Sequence, residues 1–275
     1  MAAKPEFQIF TSLRYDPLLI PPTGTGFLNF PGHVERLLLA AQFFNTSTDP
    51  AHFPGKWEPT ITYLTTQPDA FEKRSQVEVE RYYATQEALK PLRVRISLGI
   101  DWESGYGFYC EPTPPLPLSQ LLPKLPLAPP PSEPAALEEI ESGSVPYAVV
   151  DTVATRQDAF TIYKTTKRQC YDEARARAQL KPGLCEVLLW DEDRYLTEGS
   201  TTNMHFWREG RWVSPTGGVN GTVRRKLVNG EAIGEMQVKV EDVAEGGEWV
   251  LLSNGVRGLW RAWLLPVGSE LPRVK

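Results

Sequence analysis

The sequence is poor in cysteine and histidine, with three of each in 275 residues. Neither set has the spacing of a zinc site, and three cysteines far apart do not predict a disulfide framework. We therefore expect no bound metal, and structural roles for the histidines. These residues are Cys110, Cys170, Cys185, His33, His52 and His205.

The chain also lacks an excess of basic residues and a long apolar run. Its net charge is −5 and its pI about 5.4, which argues against nucleic acid as a partner because such partners favour a basic face. The longest apolar stretch, residues 37–44, is broken by Gln42 and is too short to span a membrane. No apolar leader follows Met1. The prediction is a reduced, cytoplasmic protein with no membrane partner.

Proline is distributed unevenly along the chain. Ten of the 25 prolines fall within residues 111–134. Because proline neither continues a helix nor donates to a strand ladder, this stretch predicts an extended connector. The predicted division is an N-terminal domain of residues 1–118, a proline-rich connector of residues 119–146 and a C-terminal domain of residues 147–275.

Hydrophobic patterning predicts mixed secondary structure on both sides of the connector. In the N-terminal domain, strands over residues 8–15 and 92–100 accompany a helix over residues 33–44. In the C-terminal domain, helices are predicted over residues 164–180 and 222–229 among several short strands. The expected fold is therefore α+β or α/β, with two domains.

The familiar catalytic signatures are absent. The sequence contains no phosphate-binding P-loop, no dinucleotide-binding glycine motif, no nucleophile elbow and no paired-histidine zinc motif. The acidic run at residues 191–193 could imitate a metal site, but a solvated hairpin tip is the preferred interpretation.

The remaining candidates for chemistry are individual residues and turns that do not form a single motif. Lys164 lies where a strand-like run meets a predicted helix, and Glu198 lies between a strand and a polar loop. Glycine-containing turns follow at Gly221 and Gly255, and backbone N–H groups at such turns can bind anions. A lysine, a carboxylate and an anion cradle are what pyridoxal 5′-phosphate requires. Surface lysines, a solvent-facing glutamate and ordinary turns are the alternative interpretation.

Taken in chain order, these residues resemble the class IV aminotransferase family, the fold-type IV pyridoxal-phosphate enzymes that include D-amino-acid aminotransferase. The interval of 34 residues between Lys164 and Glu198 agrees with the family pattern. The resemblance implies a homodimer of two-domain subunits with the cofactor in the interdomain cleft. The matching stretches are Phe10-Thr-Ser-Leu-Arg-Tyr15, His33-Val-Glu-Arg-Leu37, Glu198-Gly-Ser-Thr-Thr-Asn203, Gly221-Thr-Val-Arg224 and Ser253-Asn254-Gly255.

The resemblance also implies roles for individual residues. Lys164 would be the Schiff-base lysine and Glu198 the partner of the pyridine nitrogen. Lys167 is the alternative lysine, disfavoured by its offset from Glu198. Val223 stands where the family usually has threonine, so Thr222 is the candidate to supply a hydroxyl. The residues implied to bind the cofactor phosphate are Arg36, Thr222, Val223, Asn254 and Gly255.

Two further sets of candidates stay open. Some members of the family place a tyrosine five residues after the lysine, near the phenolic oxygen of the cofactor. Gln169 stands at that position here, and Tyr171 is the other candidate. Arg14 and Arg257 are candidates to bind a substrate carboxylate, with strand-face ion pairs as the alternative.

Three stretches are similar to those of aminodeoxychorismate-lyase-like members: Thr-Ser-Leu-Arg-Tyr-Asp-Pro, Lys-Thr-Thr-x-Arg-x-x-Tyr and Ser-Asn-Gly-Val-Arg-Gly. The resemblance therefore implies a lyase of folate biosynthesis that converts a small amino substrate, 4-amino-4-deoxychorismate, to 4-aminobenzoate and pyruvate. A class IV transaminase that uses amino acids or amines with a 2-oxo acid acceptor is the alternative. A nonenzymatic cofactor-binding or structural relative is the second alternative.

Overall fold

The computed structural model describes residues 7–179 and 185–269, and this part of the chain forms two compact units. The first unit contains the described residues up to Leu121 together with two later segments, Tyr163–Lys167 and Gly255–Arg257. The rest of the described chain forms the second unit. Both of these later segments lie within residues 147–275, which the sequence predicts as the C-terminal domain.

The first unit is built on a three-stranded antiparallel sheet in the order β1-β2-β3. Alternate residues of β2 are fully buried, which is the pattern of a strand with one face on the core. Helix α2 contacts β1 and α3. The strands are β1 (Ile9–Tyr15), β2 (Leu92–Leu98) and β3 (Gly107–Pro112), and the helices are α1 (Ile20–Thr23), α2 (Phe30–Thr46), α3 (Glu58–Thr66), α4 (Pro68–Tyr83) and α5 (Leu118–Leu121).

The edge of β1 opposite β2 is covered by backbone from elsewhere in the chain. The N–H of Phe10 donates to the carbonyl of Lys164, and the N–H of Thr166 donates to the carbonyl of Gln8, both at 2.9 Å. These bonds hold residues 164–166 as an antiparallel partner of β1. The helix predicted over residues 164–180 therefore begins only at Gln169, because the backbone groups before it are already paired with a strand. Its predicted end lies outside the described residues.

A second segment covers the same edge further along the strand. The N–H of Arg14 donates to the carbonyl of Gly255, and the N–H of Leu28 donates to the carbonyl of Arg14, both at 2.9 Å. Strand edges with unpaired N–H and C=O groups are usually covered or paired in stable proteins. Backbone groups of residues 164–166 and of Gly255, both distant in the chain, and of the nearer Leu28 thus pair with the outer edge of β1.

The second unit is built on an eight-stranded sheet in the order β6-β5-β4-β11-β10-β7-β8-β9. Strand β4 is parallel to β5 and β11, and β8 is parallel to β9, while the other pairs are antiparallel. The strands are β4 (Tyr147–Val150), β5 (Cys185–Trp190), β6 (Leu196–Gly199), β7 (Asn203–Arg208), β8 (Arg211–Pro215), β9 (Gly234–Met236), β10 (Glu248–Asn254) and β11 (Gly258–Leu264). The helices are α6 (Leu137–Glu141), α7 (Ala159–Ile162), α8 (Gln169–Arg177) and α9 (Thr222–Asn229).

Alternation along the strands of the second unit places two apolar clusters on opposite faces of its sheet. Ala148 and Val150 belong to one cluster, whereas Tyr147 and Val149 belong to the other, which includes Tyr171 of α8. Mixed strands and helices of this kind agree with the predicted fold class. Within the described residues, no helix is both long enough and apolar enough to span a bilayer.

The aromatic core of the first unit predicts a large effect of truncation at Phe44. Its ring is fully buried and lies 4.9 Å from the ring of Phe7 and 5.8 Å from that of Trp57, centroid to centroid. We expect Phe44→Ala to lower the free energy of unfolding by about 3–5 kcal/mol, measured by urea denaturation. Leu39→Ala, on the same helix but 44% exposed, is the control and should change it by less than about 0.5 kcal/mol. Equal effects would contradict this core assignment.

Candidate active site

The backbone carbonyl of Lys164 is held on β1, where it accepts a hydrogen bond from the Phe10 N–H. The residue is half-buried, and its Nζ lies 5.2 Å from the ring centroid of Phe10. Lys167, the alternative lysine, is exposed, with Nζ 5.9 Å from the ring of Phe7. Both amines thus lie near an aromatic ring, and the two residues differ in exposure, Lys164 being half-buried and Lys167 exposed.

Arg36 belongs to a polar cluster that joins α2 to β1. Thr11 Oγ1 lies 2.6 Å from His33 Nδ1, and Arg36 Nη2 donates to Thr11 Oγ1 and lies 3.3 Å from the same ring nitrogen. Because a guanidinium can only donate, these contacts require Nδ1 of His33 to accept and Nε2 to carry the proton. The cluster orients the Arg36 guanidinium at the edge of β1.

Gly255 lies directly against this cluster. A Cβ atom at residue 255 would lie 2.5 Å from His33 Cε1 and 2.8 Å from the carbonyl oxygen of Ser12. No side chain fits there, so the turn brings its backbone close to β1. Within the first unit, Lys164, Arg36 and Gly255 therefore all contact β1.

Glu198 lies on β6 of the second unit and is only 4% exposed. The Tyr171 hydroxyl donates to Glu198 Oε1 at 2.7 Å. Gly218 packs against the same side chain with φ +76°, and a Cβ there would lie 2.7 Å from the Cβ of Glu198. The close approach and the positive φ both require glycine at residue 218. The carboxylate is thus enclosed rather than on a solvated turn.

The polar loop after Glu198 is fixed by a second buried carboxylate, Glu186. It accepts hydrogen bonds from Ser200 Oγ at 2.5 Å, Thr201 Oγ1 at 2.6 Å and the Thr201 N–H at 3.2 Å. Arg175 Nη1 adds an ion pair at 3.4 Å. Asn254 Nδ2 then donates to the Thr201 carbonyl at 3.3 Å. This network ties the loop after the candidate acid to the predicted phosphate-facing turn.

Helix α9 presents its N-terminus without a side-chain cap, since Gly221 precedes it. Arg224 anchors the helix from inside: its guanidinium donates to Ser214 Oγ, Asn220 Oδ1 and the Pro215 carbonyl at 2.9–3.1 Å. First-turn N–H groups and the helix dipole favour an anion at such an end. Thr222 is buried and Val223 is half-buried at this end.

The remaining candidates separate in the structure. Gln169 Nε2 donates to Glu173 Oε1 on the exposed side of α8. Arg14 is fully buried, bonded through Nε to Asp16 and through Nη2 to the Pro114 carbonyl, which is the strand-face ion pair that the sequence left open. Arg257 is half-buried, and its carbonyl accepts from Gln120 Nε2 at 2.8 Å.

The roles of Thr11, Glu186 and Arg224 as supports of the site were not predicted from the sequence. Each acts through partners that are distant in the chain or in a different element. The Thr11–Arg36 contact joins residues 25 apart, and Glu186 bonds Thr201 across 15 residues. Only the strand–helix order around Arg224 offered a signal, since an arginine in the first turn after a glycine can bond the preceding loop.

The donor groups fit pyridoxal 5′-phosphate within each unit taken separately. The first unit offers the amine of a half-buried lysine, a guanidinium and a turn with no room for a Cβ atom. The second offers a buried carboxylate and an uncapped helix N-terminus. Among the described residues, no group of three histidine, cysteine, aspartate or glutamate side chains is arranged to hold a metal ion.

Comparison with known proteins identifies the class. The family model for class IV aminotransferases matches residues 8–263, so the chain belongs to this family, whose members depend on pyridoxal phosphate. The resemblance predicted from the motifs is confirmed. The solved structure of 4-amino-4-deoxychorismate lyase from Pseudomonas aeruginosa has the same fold, with a TM-score of 0.56 over 97% of this chain and 88% of that chain at 15% identity.

Two curated relatives are similar in sequence. A Schizosaccharomyces pombe protein provisionally named an aminodeoxychorismate lyase is 30% identical over 118 residues, covering 41% of this chain and 51% of the relative. The aminodeoxychorismate lyase of Saccharomyces cerevisiae is 32% identical over 130 residues, covering 40% of this chain and 34% of the relative. The matches thus span about half of the first relative and a third of the second.

The burial of His205, on β7, predicts that the stability of the fold depends on pH. Its Nε2 lies 2.9 Å from Ser253 Oγ, and complete burial, with a smaller effect of the Arg224 charge, lowers the pKa of His205 to about 3. The unfolded state therefore binds a proton that the folded state does not as the pH falls below about 6.5, so stability decreases. We expect the free energy of unfolding to fall by about 2 kcal/mol between pH 7 and pH 5 because of this residue.

The measurement is the free energy of unfolding of His205→Gln and of the parent at pH 7 and pH 5. The variant should lose most of the difference between the two pH values. Met204→Leu, at a fully buried residue of the same strand that does not ionise, is the control and should keep the parent's pH dependence. If His205→Gln loses as much unfolding free energy between pH 7 and pH 5 as the parent does, another group causes the pH dependence.

Proposed function

We propose that this protein is a pyridoxal-phosphate-dependent lyase that converts 4-amino-4-deoxychorismate to 4-aminobenzoate and pyruvate. The lyase activity is supported by both curated relatives, which carry that name, and the cofactor by the family. In keeping with the family resemblance, the proposal includes a homodimeric, cytoplasmic enzyme.

Each proposed role follows from the chemistry of the side chain. Arg36 binds the cofactor phosphate through charge-assisted hydrogen bonds, together with backbone or side-chain groups of Thr222, Val223, Asn254 and Gly255. Glu198 holds a proton on the pyridine nitrogen. When bound, the cofactor supplies an electron-withdrawing ring that stabilises negative charge next to the substrate nitrogen.

Lys164 has two tasks in this proposal. Its Nζ would hold the cofactor covalently, and its free amine would move protons as a general acid and base. In the lyase reaction it delivers a proton to the methylene carbon of the departing pyruvate. The observation that carries the proposal is the position of this half-buried lysine, with its backbone bonded to β1 and its Nζ 5.2 Å from the ring centroid of Phe10.

The test is product formation from 4-amino-4-deoxychorismate by the protein loaded with pyridoxal phosphate. We expect equimolar 4-aminobenzoate and pyruvate, near-complete loss of both in Lys164→Ala, and a change of less than about twofold in Lys167→Ala, the exposed neighbouring lysine. Borohydride should reduce the cofactor onto the parent but not onto Lys164→Ala. Amino-group transfer from an amino acid to 2-oxoglutarate, without cleavage of aminodeoxychorismate, would instead establish the transaminase.

Glu198→Gln tests the acid partner of the ring. A carboxylate about 4 Å from a pyridinium is worth roughly 4 kcal/mol at an effective dielectric near 20, so its loss should slow single turnover by about two to three orders of magnitude. Covalent attachment of the cofactor to Lys164 should persist. Glu192→Gln, at the exposed hairpin tip, is the control. Turnover of Glu198→Gln within a few-fold of the parent would refute this role.

Arg36→Ala tests the phosphate contact. Hydrogen bonds to a charged group contribute about 1.5–3 kcal/mol, so we expect the cofactor dissociation constant to rise about 10–100-fold. Folding should change little because the contact between Thr11 and His33 does not need the guanidinium. Arg81→Ala, at an exposed ion pair of α4, is the control. Unchanged cofactor retention after dialysis of Arg36→Ala would exclude the assignment.

A further inference from the structure

The hydroxyl of Tyr171 has a single proton and two oxygen neighbours. Glu198 Oε1 lies at 2.7 Å and the Thr161 carbonyl oxygen at 3.2 Å. The shorter distance is that of a charge-assisted bond and the longer one is at the weak limit. The proton therefore belongs to the bond with Glu198, which occupies one of the two carboxylate oxygens.

Packing alone does not explain a tyrosine at this position. The ring of Tyr171 belongs to an apolar cluster with Ala174 of the same helix and Tyr147 of β4, and the residue is 3% exposed. A phenylalanine would fill the same space without the cost of burying a hydroxyl. The hydroxyl and the Glu198 carboxylate are both buried, and each removes the desolvation cost of the other.

The surroundings keep this hydroxyl a donor. Burial, and then the charge of Glu198, raises the pKa of Tyr171 far above its ordinary value. The other charged or titratable groups that face it are Arg168, whose guanidinium lies 4.3 Å from the ring centroid, and Cys170. Arg168 opposes the shift but does not reverse it. The hydroxyl thus remains protonated throughout the working pH range.

We infer that Tyr171 is a positioning residue that acts through Glu198: its hydrogen bond to Oε1 keeps the carboxylate ionised and in one orientation for its role at the pyridine nitrogen. The inference rests on the proposed function for the identity of that nitrogen. It gives Tyr171 a role at Glu198, the proposed partner of the pyridine nitrogen. The sequence had instead left Tyr171 as a candidate contact of the phenolic oxygen of the cofactor.

The first arm of the test needs no cofactor. The ionisation of Glu198 is followed in the apoprotein by NMR of ¹³C-labelled glutamate carboxyl groups, assigned with Glu198→Gln. Because a hydrogen bond to the charged form favours it, Tyr171→Phe should make Glu198 a weaker acid by about tenfold or more. Tyr147→Phe is the matched control, since Tyr147 is 4% exposed in the same cluster and should leave the titration unchanged.

The second arm compares two cofactors. Pyridoxal phosphate and its 1-deaza analogue, in which carbon replaces the ring nitrogen, are titrated into the apoprotein. Tyr171→Phe should weaken the binding of pyridoxal phosphate about tenfold and that of the analogue less than about twofold. In the Glu198→Gln background the same substitution should have little effect on either compound, because the two residues act as a unit.

Two results would overturn the inference. One is a Glu198 titration in Tyr171→Phe that matches Tyr147→Phe. The other is an equal loss of affinity for both compounds, which would assign Tyr171 to packing or to the phenolic oxygen. A parent protein that binds neither compound would refute the proposed function, whereas the apoprotein titration would still decide whether Tyr171 controls Glu198.

Discussion

The backbone hydrogen bonds along the outer edge of β1 are the constraint on which the first unit depends. A strand edge with unpaired N–H and C=O groups must be satisfied, and here Phe10 and Arg14 donate to the carbonyls of Lys164 and Gly255. These partners come from remote parts of the chain. These backbone bonds therefore hold Lys164 and the turn at Gly255 against β1, the strand that carries Thr11.

In the second unit, two buried carboxylates and their hydrogen-bond partners fix the local structure. Glu186 is surrounded by donors, so its charge is used to fix the loop at Ser200 and Thr201. Glu198, on the adjoining strand, has the Tyr171 hydroxyl on one oxygen. An ionised carboxylate is stable in a protein interior only with such partners. Both buried carboxylates therefore depend on hydroxyl donors that the fold brings to them.

Local patterns predicted some elements accurately and others poorly. The helix predicted over residues 222–229 matches α9, because a glycine turn and an amphipathic run define it locally. The predicted start at Lys164 was wrong, since pairing with β1 overrides helix propensity there. Helices α3 and α4 were not predicted, although Pro59 and Pro68 in their first turns offered a signal.

The sequence by itself determined the family, because motif order and the spacing of Lys164 and Glu198 are recorded in the chain and match a class whose chemistry needs those residue types. Only the tertiary structure decided what Tyr171 and Arg14 contact. A buried polar group bonds whichever oxygen the fold brings within about 3 Å. For Tyr171 that oxygen belongs to a residue 27 positions away, and no pattern within α8 specifies which distant strand will supply it.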